Sequence, residues 1–142
     1  MTDTDRPVVV LAFDFGLKHI GVACGQSLTG TANPITTLSA NVGKPRFREV
    51  QALIEQWLPD RLLVGLPLNM DDSESPISQG ARGFAQRLSE QTQLPVWLVD
   101  ERLSSREAID EQGADPLRSH ALAAVVIAER YFREPDHAVM LA

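Results

Sequence analysis

Apolar residues along this chain fall first into short unbroken runs and then into helically spaced sets. The first run, Val8 to Phe13, is rich in β-branched residues, which is typical of a central strand covered on both faces. It ends at Asp14. The pattern predicts a second strand from Ile20 to Cys24 and a third, after a turn at Gly30, over about 31–38. Three strands this close in sequence indicate an antiparallel meander.

Helices and strands alternate after this meander. Apolar residues three and four apart predict a helix from Phe47 to Trp57. A buried strand is predicted from Arg61 to Leu66. Ser75 and Pro76 then have the residue types of an N-cap and a first helical turn. A further strand is predicted from Val96 to Val99.

Two more helices are predicted near the C-terminal end, from about Ser104 to near Gly113 and from His120 to about Phe132. The second is apolar on nearly every side, so we expect it to pack deeply, and we expect residues 134–142 to form a frayed tail. The order βββαβαβαα predicts an α/β fold in which residues 1–142 form a single domain. The simplest arrangement is a five-stranded mixed sheet, in the order 3-2-1-4-5, with helices on both faces.

Polar residues stand at the ends of the three predicted parallel strands: Asp14, Asn69 and Glu101. Because the carboxyl ends of parallel strands meet at one edge of a sheet, we expect these residues to lie near one another. The first and last of these strands would lie ~10 Å apart across the middle one. Two carboxylates leaning inward could flank a metal pair of the kind that stabilises phosphodiester hydrolysis. Magnesium suits such a site, since it uses one or two carboxylates together with water and phosphate oxygens.

Each of these residues also has a simpler interpretation. An aspartate that ends a strand just before a glycine-containing turn, as Asp14 does before Gly16, is often a turn former. Glu101 has the charge favoured at a helix start, and Asn69 is a common loop cap. Gly16 and Gly21 are explained equally well by a tight hairpin. The convergence of the acids on one edge, rather than any single residue, supports a site.

The charge balance narrows the class of partner. A net charge of -6 argues against a protein that coats nucleic acid indiscriminately, because such binding depends on neutralising phosphates. A local basic rim is still compatible, since arginine outnumbers lysine eleven to two. The arginines near predicted loop or helix ends are Arg46, Arg48, Arg82, Arg102, Arg106 and Arg118. Scattered solvated charge is the simpler interpretation of this set.

The cellular setting is predicted from what the sequence contains. The single cysteine, Cys24, cannot form an internal disulfide, which favours a reducing cytoplasm. No apolar run approaches the ~18 residues that span a bilayer, and the polar start lacks the order of a secretory signal. We therefore expect a cytoplasmic protein without a membrane partner.

Three segments together resemble the YqgF family, also called RuvX, of Holliday-junction-resolvase-like proteins regarded as pre-16S ribosomal RNA nucleases. The segments are Ala12–Ala23, Val64–Asp71 and Asp100–Ser105, and the resemblance extends from about Val8 to Phe132. It implies a ribonuclease H-like fold and a metal-dependent nuclease, using Mg²⁺ or Mn²⁺, that matures the 5′ end of 16S ribosomal RNA in the cytoplasm. We expect a monomer or a weak homodimer.

The resemblance also assigns roles by position. Asp14 and Glu101 match two of the family's acidic site residues, so both are predicted to be catalytic and to bind metal. Lys18, Asn69 and Arg102 fall within the family's motifs and are predicted to bind substrate phosphate.

One position departs from the family. In the family, the last helix usually starts with a pattern like Asp-Ser-x-x-Ala. In this chain, His120 stands at the position of that aspartate. His120 is therefore a candidate catalytic residue, as a neutral ligand or general base. Alternatively, Asp110 or Asp115 supplies the third carboxylate, or the site is weakened and RNA is bound without efficient cleavage. Manganese, which tolerates nitrogen ligands better, should help if His120 is a ligand.

Other functions are open at this point. A resolvase of branched DNA would use the same fold, because a fold does not choose a substrate. A non-cleaving factor associated with RNA or transcription is compatible with the acidic charge and with His120. A nucleotide-binding ATPase with a similar Asp-x-Gly turn would need two such domains, which a chain of 142 residues does not supply.

Overall fold

The computed structural model describes residues 7–102 and 116–141 of the chain. A mixed β-sheet lies between helices on its two faces. In chain order the elements are β1 (Val9–Asp14), β2 (His19–Gln26), β3 (Thr31–Asn41), β4 (Lys44–Pro45), α1 (Phe47–Trp57), β5 (Arg61–Leu68), α2 (Pro76–Thr92), β6 (Val96–Arg102), α3 (Pro116–Arg133), a 3-10 turn (Pro135–His137) and β7 (Ala138–Met140).

The strand order of the sheet is β4-β3-β2-β1-β5-β6-β7. β1, β2 and β3 form the predicted antiparallel meander, and β1, β5 and β6 are parallel. The five central strands therefore confirm the predicted order, with β5 and β6 as the predicted fourth and fifth strands. The mixed α/β architecture with helices on both faces is also confirmed.

The prediction of five strands is wrong in number, because two short strands extend the sheet. β4 pairs with the end of β3 through a two-residue turn at Val42 and Gly43, which both have positive φ, 50° and 79°. Such turns usually carry Asn or Gly at both positions, so valine gave no signal. β7 has only three residues, too few for an alternation pattern to stand out.

The expected frayed tail is wrong over residues 135–140. These residues form the 3-10 turn and then β7, which pairs antiparallel with Trp97–Val99 of β6. Ala138 is buried in the core beneath α3, and Leu141 packs against the core on the other face. Covering the β6 edge satisfies backbone groups that an edge strand would leave to solvent.

Alternation along β1 divides the core into two layers. Leu11 and Phe13 point to the face covered by α1 and α2, while Val10 and Ala12 point to the face covered by α3. All four residues are fully buried. This accounts for the unbroken apolar run in the sequence, since both faces of the strand meet helices.

The helix starts follow the local chemistry of the chain. Ser75 and Ser78 form the capping box of α2, and Ser78 also donates its hydroxyl hydrogen to the carbonyl of Pro67 at the end of β5. α3 begins at Pro116, four residues before the predicted start, because proline is well suited to a first helical turn. The helix predicted from Ser104 lies outside the described residues.

Among residues 7–102 and 116–141, no helix has both the length and the apolar character required to cross a membrane.

Candidate active site

Asp14 ends β1 with its carboxyl group beneath α3. Its backbone pairs with Gly21 of β2, and only 1% of the residue is exposed. Because side chains alternate along a strand, Asp14 lies on the same face as Val10 and Ala12. A carboxylate at such depth is costly unless donors or a cation offset its charge. Its burial therefore favours a chemical role over that of a simple turn former.

Glu101 lies inside β6 rather than after it, opposite Pro67 of β5, and is 4% exposed. It shares a face with Val99, which packs beneath α3. Asp14 and Glu101 thus lie on one face and at one edge of the sheet, separated by a single strand. The structure brings the two predicted acids together, whereas their catalytic and metal-binding roles stay predictions. A place within a strand also argues against Glu101 as a mere helix-start charge.

Gly65 of β5 occupies the space between the two acids. The β1–β5 register pairs Phe13 with Val64, so Gly65 lies beside Asp14 at the next position. A Cβ atom on Gly65 would lie 2.8 Å from Oε2 of Glu101 and would overlap Cδ1 of Ile127. The Glu101 carboxylate therefore extends over the middle strand toward β1, in space that only glycine leaves.

Gly65→Ala is expected to lower both the stability and the cleavage activity of the protein. Overpacking at a buried position costs about 1–3 kcal/mol, measurable by urea unfolding. Adding Ile127→Val removes the Cδ1 atom that the new methyl group meets but leaves the approach to Glu101. The double variant should therefore regain part of the lost stability without regaining cleavage. Recovery of both together would contradict a role for Gly65 in placing the carboxylate.

His120 lies on α3 directly over Asp14. Its Nδ1 atom is 3.4 Å from Oδ2 of Asp14, a long hydrogen bond, and its side chain is 30% exposed. The two residues are 106 positions apart in sequence. His120, which the resemblance places where the family usually has an aspartate, therefore lies beside the first acid, whereas Asp110 and Asp115 lie outside the described residues.

Gly21 allows α3 to approach this closely. A Cβ atom on Gly21 would overlap the carbonyl group of His120 and lie 2.7 Å from the backbone nitrogen of Ala121. Gly21 is also the residue that pairs with Asp14 across β1 and β2. The glycine thus does more than relieve a hairpin, because it sets the height of His120 above the acid.

His19 is a candidate site residue that the sequence interpretation missed. Its ring lies 5.5 Å from the ring of His120 at an interplanar angle of 32°, and the residue is half-buried. It starts β2 two positions before Gly21, so strand alternation places it on the α3 face. That alternation was the available signal, although it required knowing which face α3 covers.

The predicted phosphate-binding residues lie around this edge of the sheet. Lys18 is exposed in the loop between β1 and β2, and Arg102 is the last residue of β6, paired with Leu68. Asn69 follows β5, where its side-chain amide donates to Oγ of Ser73 at 3.0 Å. Asn69 therefore does cap a loop, which was its simpler interpretation. Substrate binding by all three stays a prediction.

The donor set suits a hard divalent cation. No group of three or more His, Cys, Asp and Glu side chains forms a ready-made ion cage among residues 7–102 and 116–141. Magnesium does not require one, because it commonly binds through one or two carboxylates and keeps water and phosphate oxygens as its other ligands. The two buried carboxylates on either side of Gly65 fit that requirement.

Solved structures with the same architecture define the class of fold. The chain is similar to "T. thermophilus RuvC in complex with Holliday junction substrate", with a TM-score of 0.57, 14% identity, and coverage of 94% of this chain and 99% of that one. It is also similar to "Thermus thermophilus RuvC structure", with a TM-score of 0.55 and 13% identity over 94% of this chain and 99% of that one. The fold is therefore of the RuvC, ribonuclease H-like class.

Sequence comparison gives the family within this class. The chain belongs to the RuvX family, described as Holliday junction resolvase, which it matches over residues 8–134. Three relatives share the name "Putative pre-16S rRNA nuclease". That of Alcanivorax borkumensis is 46% identical, covering 87% of this chain and 95% of its own. That of Escherichia coli is 44% identical, covering 88% of this chain and 96% of its own. That of Acinetobacter baylyi is 39% identical, covering 96% of this chain and 97% of its own. The predicted family is confirmed.

Proposed function

We propose that this protein is a divalent-cation-dependent nuclease that hydrolyses phosphodiester bonds of RNA and processes the 5′ end of pre-16S ribosomal RNA. The observation that carries the proposal is the pair of buried carboxylates, Asp14 and Glu101, on either side of Gly65 at one sheet edge. The RNA substrate is supported by the name that the relatives share. The expected cytoplasmic location and monomer or weak homodimer belong to the same proposal.

Asp14 and Glu101 are the residues that would hold the cation, Mg²⁺ or Mn²⁺. Such a cation supplies Lewis-acid stabilisation of phosphate charge and lowers the pKa of bound water. The protein contributes a rigid setting for both carboxylates, since each is fixed in a strand of the central sheet. Burial keeps bulk water from screening their charge.

His120 is proposed to act as a general base next to Asp14. With Nδ1 protonated, the imidazole donates to Oδ2 of Asp14 and leaves Nε2 as an acceptor. A neutral imidazole in that tautomer can accept a proton from an attacking water and later return it. Lys18 and Arg102 would hold the RNA backbone near the acids, since cationic side chains bind phosphate oxygens strongly.

The test is cleavage of an end-labelled RNA that spans the 5′ precursor segment of 16S ribosomal RNA. The reaction is run with Mg²⁺, with Mn²⁺ and with EDTA, and the Asp14→Asn variant serves as the blank. Cation-dependent cleavage that the variant lacks is the expected result. Binding without cleavage under every cation condition would show a non-cleaving RNA-binding factor instead.

Branched DNA is the second candidate substrate. The family description names Holliday junction resolvases, and one structure of similar fold was solved with a junction. A four-way DNA junction should therefore compete in the same reaction. Faster cleavage of the junction than of the precursor RNA would assign the site to DNA.

Replacing His120 separates its possible roles. His120→Ala is expected to slow cleavage by roughly tenfold or more, because it removes the group beside the Asp14 carboxylate. His120→Asp restores the family's carboxylate and is expected to retain activity in Mg²⁺ while losing any preference for Mn²⁺. Single-turnover rates in both cations measure this. If His120→Ala cuts as fast as the parent protein, His120 has no part in catalysis.

A further inference from the structure

A cleft of about 180 Å³ opens between β4, α1 and α2, on the face of the sheet opposite α3. Its floor is apolar and two cations stand at its rim. The residues that matter here are Lys44, Phe47, Val50, Phe84, Arg87 and Leu88. We call this site the β4 cleft. Its volume is below the ~300 Å³ at which pockets for whole small molecules begin, which favours a smaller group such as a single base.

Arg87 is fixed in place at this rim. Its Nη2 atom donates to the carbonyl of Gly43 in the β3–β4 turn at 3.2 Å. A guanidinium has five N–H donors, so this bond leaves several for a ligand. Within the described part of the chain, neither Arg87 nor Lys44 forms an ion pair, in contrast to Arg82 and Arg130, which pair with Glu74 and Glu134.

The charge around the β4 cleft is opposite to that of the whole protein. Arg46 and Arg48 continue from Lys44 at alternate positions, and all three side chains are exposed. The acidic residue in the first turn of α1 is Glu49. Four cations in or next to the cleft, in a chain of net charge -6, form a local surface that favours an anionic partner.

Backbone hydrogen bonds hold the hairpin beside the cleft against the loop that follows Asp14. Gly43 donates its N–H to the carbonyl of Leu17 at 2.9 Å, and Ala40 donates to that of Lys18 at 2.8 Å. The hairpin of β3 and β4 is thereby bonded to the loop that follows Asp14. The exposed Lys18 lies in this same loop.

We propose that the β4 cleft binds one unpaired nucleotide of single-stranded RNA, with its base against Phe47 and its phosphates on Lys44 and Arg87. The choice of RNA rests on the function proposed above. An aromatic wall beside cations matches a nucleotide, which has a flat π-face and a charged backbone. The carboxylate side chains of an acidic peptide would satisfy the cations but have no flat π-face to place against Phe47. The cleft would then fix where RNA is cut relative to its unpaired segment.

The charge contribution is tested by equilibrium binding in EDTA, so that no cleavage occurs. The probe is a fluorescent ten-nucleotide single-stranded RNA, titrated at several salt concentrations. Lys44→Gln with Arg87→Gln should weaken binding and reduce the salt slope by about 0.7 for each lost phosphate contact. The matched control is Arg82→Gln on the same helix, because Glu74 already neutralises that arginine. Lys44 is exposed, so the single variant Lys44→Gln should remain folded. If the double variant unfolds, the salt slope of Lys44→Gln alone tests the charge contribution.

The base contribution is tested with Phe47→Ala. This variant should weaken single-stranded RNA binding by roughly fivefold or more, and binding of a blunt RNA duplex of equal length should not change. An unchanged salt slope in the double variant, or equal loss on duplex, would overturn the proposal. So would an acidic peptide that binds the parent protein more tightly than the RNA does. Because binding is measured in EDTA, the result does not depend on whether the protein cleaves RNA. A failure of the proposed nuclease activity can therefore be distinguished from a failure of this proposal.

Discussion

Asp14→Asn is expected to lower the rate of RNA cleavage by roughly a thousandfold or more while the protein remains folded. Stabilisation of transition-state charge by a bound metal is worth several kcal/mol, and each 1.4 kcal/mol corresponds to a factor of ten. The amide keeps the shape of the side chain but removes the negative charge that would hold the cation. Single-turnover cleavage in Mg²⁺ measures the loss. Asp136→Asn, at an exposed position in the 3-10 turn, is the control with the same chemical change and should cut normally.

A second readout of Asp14→Asn does not depend on activity. A cation that binds only the native state raises the melting temperature, and the parent protein should show this rise on addition of Mg²⁺. The variant should gain little from Mg²⁺, because its amide lacks the negative charge that would hold the cation. Full cleavage by the variant, or an undiminished melting shift, would remove Asp14 from the proposed cation site.

Gly21→Ala is expected to have the largest effect on stability of any single methyl group added to the sheet. The new Cβ atom would overlap the backbone carbonyl of His120 and lie 2.7 Å from the nitrogen of Ala121. Backbone atoms cannot rotate aside, so the start of α3 must move away from β2. We expect a loss of about 3 kcal/mol or more, at the upper end of overpacking costs, and a fall in cleavage as His120 leaves Asp14.

Gly83→Ala is the matched control for this prediction. Gly83 lies in α2, and among the residues that the structure describes a Cβ atom there would meet only Nη1 of Arg87, at an ordinary contact distance of 3.7 Å. Removing a glycine from a helix should stabilise the protein by about 0.5–1 kcal/mol. Urea unfolding of both variants measures the two opposite effects. Equal stability of the Gly21→Ala variant and the parent would show that α3 does not rest on Gly21.

The sequence predicted the central sheet because its signals are local. The apolar run of β1, the capping residues of α2 and the alternation of strands with helices can each be recognised within a few residues. Once the parallel order was assumed, the neighbourhood of Asp14 and Glu101 followed from topology. These features require no knowledge of side-chain packing.

The remaining parts of the site depend on tertiary contacts that a pattern does not contain. Gly65 and Gly21 matter through what lies above them, an Ile127 methyl group and the backbone of His120. His19 joins the site only because α3 covers its face of β2. The β4 cleft depends on a valine turn that gave no hairpin signal. The roles of these glycines and the presence of short edge strands could therefore not be predicted from the sequence alone.

The placement of Glu101 on the last parallel strand has a consequence for synthesis of the protein. A growing chain that has emerged only through β5 contains Asp14 and Gly65 but has no second acid, and α3 with His120 comes later still. Under the proposed function, such a chain lacks one of the two acids that would hold the divalent ion. We therefore expect a nascent chain to be unable to cleave RNA until β6 and α3 have folded.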